Sequence, residues 1–330
     1  MSTQIENPAF DTAYFQNHLP QIYRTVLKDF RKIIQTNIFF HVFFLALIGA
    51  EVLFLLPFIA TSAMTAFALG TLFFTGFSYL VIYFYLQARK PERLLHLKEM
   101  FLQFCVRHIA APVGETAHHL SIAEALIKLA SYLEDFEKNF YLLPPLLQGL
   151  NPVFSRFSCL CYRKDVFNFK RSLIDAAIEE HLKQIRATPT DLEVHASLAT
   201  TYVAQSKMYR THARHRKDQA LFEENFRSAS RLAIEEFRIL NHYAPNDPWV
   251  HEQLAQGYHE LDMPEEELLE VEILLKLRPQ DKETQYHLGR LYFLQGMNAK
   301  GLQIYEKLKQ SNFKQAEDLI ASYGLRNNPL

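Results

Sequence analysis

From Ile38 to Leu86 the chain carries one formal charge, Glu51, in 49 residues. Wound as a helix, that stretch is apolar on every side, whereas a surface helix of a soluble domain keeps a polar face. A bilayer core about 30 Å thick takes roughly 20 residues of helix. The stretch is too long for one crossing and suits two. The break falls near Pro57 to Thr65, so the pattern predicts helices over 36–59 and 63–86 joined by a short turn. Backbone in lipid must satisfy its own hydrogen bonds, which leaves helices as the form. A signal peptide fits poorly, because the run starts after 37 residues and continues into a second apolar run. A buried soluble hairpin would need a very large surrounding core.

The flanks set an orientation. Arg24, Lys28, Arg31 and Lys32 precede the first span, and Arg89, Lys90, Arg93 and Lys98 follow the second. The turn between them has no Lys or Arg, so the positive-inside rule puts both termini in the cytoplasm. Tyr79, Tyr83 and Tyr85 read as interface anchors, with Tyr79 the deepest. Glu51 carries two readings: an intramembrane contact to an ion or a partner helix, or a side chain that reaches the far interface near Pro57. Gly49, Gly70 and Gly76 could admit close helix contact, although they form no G-x-x-x-G pair.

Beyond the spans, residues 92–109 read as a helix that lies on the membrane or packs into the soluble part. Leu126, Leu129, Leu133, Phe136 and Phe140 recur at helical spacing and predict a second helix over 117–141. Pro144, Pro145 and Pro152 then forbid an ordinary helix through an apolar stretch at 142–154, which reads first as a cap on the C-terminal repeats, with a dip into the membrane interface or a partner contact as the alternatives. Three cysteines, Cys105, Cys159 and Cys161, make no disulfide framework and no zinc knuckle.

The C-terminal half repeats every 34 residues. Pro245 and Pro279, Leu254 and Leu288, and Tyr258 and Tyr292 are each separated by 34. Such a period means stacked helix pairs. Here the chain resembles the tetratricopeptide repeat over about 170–310. The last copy carries Leu288, Gly289 and Tyr292, then Gly296 at the turn, Gly301 in the small-residue place and Tyr305 in the aromatic one. The copy before it has Leu254, Ala255 and Tyr258, but Glu267 stands where alanine is usual and Asp262 replaces the turn glycine. Leu198, Ala199 and Tyr202 begin a third copy. The spacing from Pro189 to Pro245 is 56, and 56 − 34 leaves an insertion of about 22 residues, read as two long helices over 191–212 and 218–243. Thr190 with Glu193 offers a capping box, and Asp247 before Pro248 a cap with a first-turn proline.

The resemblance implies a solenoid whose inner face holds a peptide or a partner protein. Its register puts Trp249, Glu252, Gln256 and His259, then Glu283, Tyr286, Arg290 and Phe293, on that face. Trp249 serves there as an anchor or as a cover on the neighbouring repeat. Arg290 could pair a ligand carboxylate. Between the long helices, Arg210, Arg214, Arg216 and Lys217 form a basic tip that could meet anionic lipid or equally RNA, or be a solvated turn. The hairpin with both ends on one side also resembles the bilobed hydrophobic segment of chlamydial inclusion membrane proteins.

Composition adds mainly exclusions. With 35 Lys and Arg against 36 Asp and Glu, the net charge of −1 argues against a basic nucleic-acid binder, and no nucleic-acid partner is expected. No phosphate-binding glycine loop, dinucleotide fingerprint, H-E-x-x-H or G-x-S-x-G occurs. The 14 histidines show no metal-ligand spacing. The reading is therefore all-α: a segment 1–35, a transmembrane hairpin 36–87, a helical juxtamembrane region 88–168, tetratricopeptide-like repeats 169–312, and a helix or tail 313–330. Its expected work is non-catalytic, without cofactor or metal: positioning a partner protein at the cytoplasmic face. The alternatives are an assembly subunit held by the hairpin and a membrane enzyme or transporter component acting on a lipid-like ligand. Nothing in the sequence sets the oligomeric state.

Overall fold

The computed structural model describes residues 12–58, 62–109, 116–138, 140, 149, 151–213 and 219–320. Every element among them is helical, and they belong to two compact units, Met1–Ala177 and Ile178–Leu330.

In the first unit, α1 (Thr12–Leu55) ends in a short 3-10 turn, Leu56–Phe58, and α2 follows over Ser62–His108. At 1.5 Å per residue, 44 and 47 residues make rods about 66 and 70 Å long, more than twice a bilayer core. The predicted spans are thus only parts of longer helices. Residues 92–109 form no separate helix, because α2 continues through Pro91 to His108. Each rod changes character along its length. In α1, Leu19, Tyr23, Val26, Phe30 and Ile34 are buried at steps of four and three. In α2, Leu94, Leu97, Phe101 and Cys105 are buried in the same way. Across the apolar stretch the large side chains face outward instead: Leu45 is 73% exposed and Phe73 77%.

The buried ends pack with α3 (Thr116–Tyr132) and with the first part of α4 (Asn151–Ala187). The Tyr23 hydroxyl donates to the Ala125 carbonyl at 3.1 Å, and Phe30 stacks on Phe169 with centroids 4.8 Å apart. Arg31 donates to the Phe140 carbonyl and lies over the Phe140 ring, while Lys90 pairs with Asp165. Each large apolar side chain buried here is worth about 1.5–3 kcal/mol. The bundle is drawn from both sides of the hairpin. It joins residues that sequence reading assigned to separate N-terminal and juxtamembrane segments. The predicted helix over 117–141 stops at Tyr132, where turns over 133–138 begin. Most of the proline-rich stretch lies outside the described residues.

The second unit contains α5 (Leu192–Ala213), α6 (Gln219–Tyr243), α7 (Pro248–Glu260), α8 (Pro264–Leu277), α9 (Lys282–Leu294) and α10 (Asn298–Gln310). Each packs on the next, the order that a stack of helix pairs requires. The 22-residue insertion is the long pair α5 and α6, as the spacing predicted. Leu198, Ala233, Phe237, Val250, Leu254 and Tyr258 close one core, and Val271, Leu288, Leu291 and Tyr292 the next. Asp262 (φ 58°) and Gly296 (φ 76°) hold the same left-handed turn position 34 residues apart, so aspartate does there what glycine does in the last copy.

The caps repeat as well. The Trp249 N–H donates to Asp247 Oδ1 at 2.9 Å, and the Glu283 N–H to Asp281 Oδ1 at 3.1 Å. In the first copy Asp191, not the expected Thr190, caps the helix by accepting from the Glu193 N–H at 3.1 Å. Each such cap contributes about 1 kcal/mol.

Candidate functional site

The strip proposed by register lies on α7 and α9, the first helices of their pairs. Glu252, Gln256, His259, Glu283 and Arg290 are exposed. Trp249 is 37% exposed, and its ring meets Phe237 edge-on with centroids 5.5 Å apart. It covers the preceding helix and still presents an edge to solvent. Glu252 lies 3.6 Å from Arg278, a surface pair worth at most about 1 kcal/mol. Gln256 Nε2 donates to Glu260 Oε1 at 3.5 Å.

Two of the eight strip positions are corrected. Phe293 is 5% exposed and packs with Leu308, Ala316 and Leu319. A Cβ at Gly301 would meet its ring at 2.5 Å, so the small residue there exists to admit this side chain. Tyr286 is half-buried, packed on the same cluster and 6.1 Å from the Phe313 ring. The chain after α10 folds back over α9, and register alone could not show that cover.

The strip also contains a cluster that spacing did not reveal. Glu267 on α8 is 2% exposed. His259 Nδ1 on α7 lies 3.1 Å from its carboxylate, and His287 Nε2 on α9 lies 2.7 Å from Oε1. Burial pushes the Glu267 carboxyl up, but hydrogen bonds from the two imidazoles and their charge outweigh it and hold it below the usual carboxylate range. The only advance signal was a glutamate in a place where the repeat prefers alanine.

Two further histidines form a repeated latch. His195 Nε2 lies 2.9 Å from the Pro189 carbonyl and Nδ1 2.5 Å from Glu236 Oε2. His251 Nε2 lies 2.9 Å from the Pro245 carbonyl and Nδ1 2.6 Å from Glu270 Oε2. Gln285 Nε2 donates to the Pro279 carbonyl at 2.8 Å in the third copy. Each of the three follows its proline by six residues. At His195 burial pushes the imidazole down, yet its bonds to Glu236 and the Pro189 carbonyl raise it overall. His181 behaves oppositely: burial lowers it to about 4, against the charge of Glu180. His195 and His251 thereby fasten neighbouring helices together.

Of the basic tip, only Arg210 is described, 4.0 Å from Glu260 and over the Phe226 ring. Arg214, Arg216 and Lys217 lie outside the described residues.

Glu51 is engaged within the hairpin. Thr75 Oγ1 donates to its Oε1 at 2.7 Å, while its Oε2 is buried with no hydrogen-bond partner among the described residues. That bond ties α1 to α2 at this level. One to three turns away, the Tyr79 hydroxyl and His41 Nδ1 are 3.2 Å apart, and Tyr83 lies against His41. His41 escaped notice because a neutral histidine adds no formal charge. Tyr79 sits inside the hairpin, whereas Tyr85 is exposed beneath Arg89. Gly49, Gly70 and Gly76 have open space around them, so they mediate no close approach between α1 and α2. A cleft between α2 and α4 is lined by Gln87, Lys90, Leu94, Leu95, Lys164 and Asp165, and its lining holds no histidine or glutamate.

The chain matches no family model and no curated protein. Solved structures similar to it are helical repeat proteins. TTC0263, a thermophilic TPR protein of Thermus thermophilus, is 20% identical, covering 68% of this chain and 97% of that one at a TM-score of 0.31. MamA is 16% identical, covering 44% and 93% at a TM-score of 0.26. The human IFIT1 dimer with m7Gppp-AAAA is 16% identical, covering 94% and 87% at a TM-score of 0.34. Likeness this loose carries no functional argument. The repeat reading stands on the chain's own 34-residue geometry.

Proposed function

We propose that the chain is a membrane-anchored scaffold whose repeat strip binds and positions a partner protein at the cytoplasmic face. The supporting observation is the exposed row Trp249, Glu252, Gln256, His259, Glu283 and Arg290 on a stack whose cores are otherwise closed. Side chains of both signs beside one amphipathic aromatic suit a peptide or protein surface. The outward apolar faces of α1 and α2 support the anchor, since only 6% of the 18-residue apolar window in either helix is buried within the fold. A soluble core hairpin would be covered. The proposed role is binding, not catalysis.

A photo-cross-linking amino acid placed at Gln256 or Arg290, in native membranes, tests the strip. A discrete adduct from these positions, absent when the probe sits at the exposed Lys307 on α10, is the expected result. Identical adduct patterns from all three positions contradict it. One observation favours a second reading, in which the hairpin itself packs into a larger membrane assembly. The unpartnered buried oxygen of Glu51 would gain a donor from another helix. Glu51→Gln should then shift the complex seen on native gels, and an unchanged complex removes that reading.

A further inference from the structure

We infer that His259, Glu267 and His287 form a binding site for a divalent transition-metal ion, of which zinc is the best-suited class. The three ligand atoms lie within 4.8 Å of one another. Tetrahedral zinc with bonds of about 2.0–2.1 Å separates its ligand atoms by roughly 3.3 Å. The observed carboxylate-to-imidazole distances, 3.1 and 2.7 Å, lie near that edge. The remaining histidine-to-histidine edge closes by rotating two side chains that reach solvent. Glu267 is fixed at the centre by burial, so the ion would be assembled around one immobile oxygen donor.

The cluster differs from the two latches in the same stack. His195 and His251 each place their second ring nitrogen on a proline carbonyl, which locks the ring. The second nitrogens of His259 and His287 make no hydrogen bond among the described residues. Two imidazoles converge on one carboxylate, each from a different rigid helix. Their nitrogen and oxygen donors are the types that borderline ions such as zinc take. Three protein ligands leave a fourth position for water or for a donor from a bound partner. Because His259 also belongs to the exposed strip, that position lies at the strip's edge. The inference stands on the cluster alone, and failure of the scaffold reading leaves it intact.

The test uses the full chain in detergent micelles, washed with a chelator and titrated with Zn2+ by calorimetry at neutral pH. Co2+ serves as an absorbing probe of tetrahedral geometry. Wild type should bind one ion per chain and show the intense visible bands of four-coordinate cobalt. His259→Ala and His287→Ala should each weaken binding at least tenfold, since even loss of an outer-sphere partner costs about 10–100-fold. The exposed His242→Ala serves as the control and should bind as wild type does. Both test histidines are partly exposed, so helix content by circular dichroism should be unchanged; Glu267→Ala, alanine being usual at that place, supplies the third variant. Absence of binding by wild type overturns the inference, as does binding that persists unchanged in the His259 and His287 variants.

Discussion

The hairpin and the repeat stack are built from the same helix with opposite faces turned inward. In the stack, Leu198, Leu254 and Leu288 are buried and the polar row of α7 and α9 is exposed. In the hairpin, Glu51 pairs with Thr75 and His41 with Tyr79 between α1 and α2, while Phe39, Leu45 and Phe73 point outward. Water draws apolar side chains inward; on the proposal that the outward faces of α1 and α2 meet lipid, that drive is absent there and polar atoms pair with each other instead. One helical periodicity thus has two meanings, and composition decides between them. The lower parts of α1 and α2 make the point within single helices, changing from outward-facing to buried apolar rows along one rod.

The contrast can be broken most forcefully in the core. Leu254→Ala should destabilise the stack by about 2–5 kcal/mol in chemical denaturation followed by Trp249 fluorescence. The same deletion at exposed Leu45 should move stability by no more than about 0.5 kcal/mol. Next, Phe73→Lys should cost about 2.5–3.5 kcal/mol of membrane insertion, read by glycosylation-site mapping, whereas Gln256→Lys should leave the stack unaffected.

The latch at His195 makes the stability of the stack depend on pH. Its folded-state pKa is raised above the ordinary value of about 6.5. Its contribution is therefore present in full below 6.5 and is lost as pH rises through the higher folded value. His195→Gln, which copies Gln285, should destabilise by about 1–2 kcal/mol at low pH, and the gap should narrow as pH rises. His181 acts in the other direction, penalising the fold as pH falls from 6.5 toward about 4. The smallest effect is at a cap. Asp247→Ala should cost about 1 kcal/mol, seen as a small fall in melting temperature.

The larger features were legible because they rest on periodic or compositional signals. The 34-residue spacing of Pro245 with Pro279 placed α7 to α10, and the excess spacing after Pro189 anticipated the α5–α6 pair. The nearly charge-free run anticipated the two long apolar helices. The features that escaped depend on contacts between distant positions. Phe293 reads as strip by register and is buried by residues 313–320, which lack the repeat pattern. The four-helix packing around Phe30 joins α1 to residues more than 100 positions later, such as Phe136 and Phe169. The His259–Glu267–His287 cluster spans separations of 8 and 20, which no ligand motif marks. Asp191 displaced Thr190 as the cap because α5 starts one residue later than the capping-box reading required.

On the proposal above, α1 and α2 meet lipid where the stack meets water. With Cys105, Cys159 and Cys161 replaced by alanine, single cysteines at Phe73 and Gln256 can be reacted with a polar maleimide in sealed membranes opened only on the cytoplasmic side. Rapid labelling is expected at 256 and none at 73 until the membrane is dissolved and the chain denatured. Equal labelling at the two positions in intact membranes would contradict it.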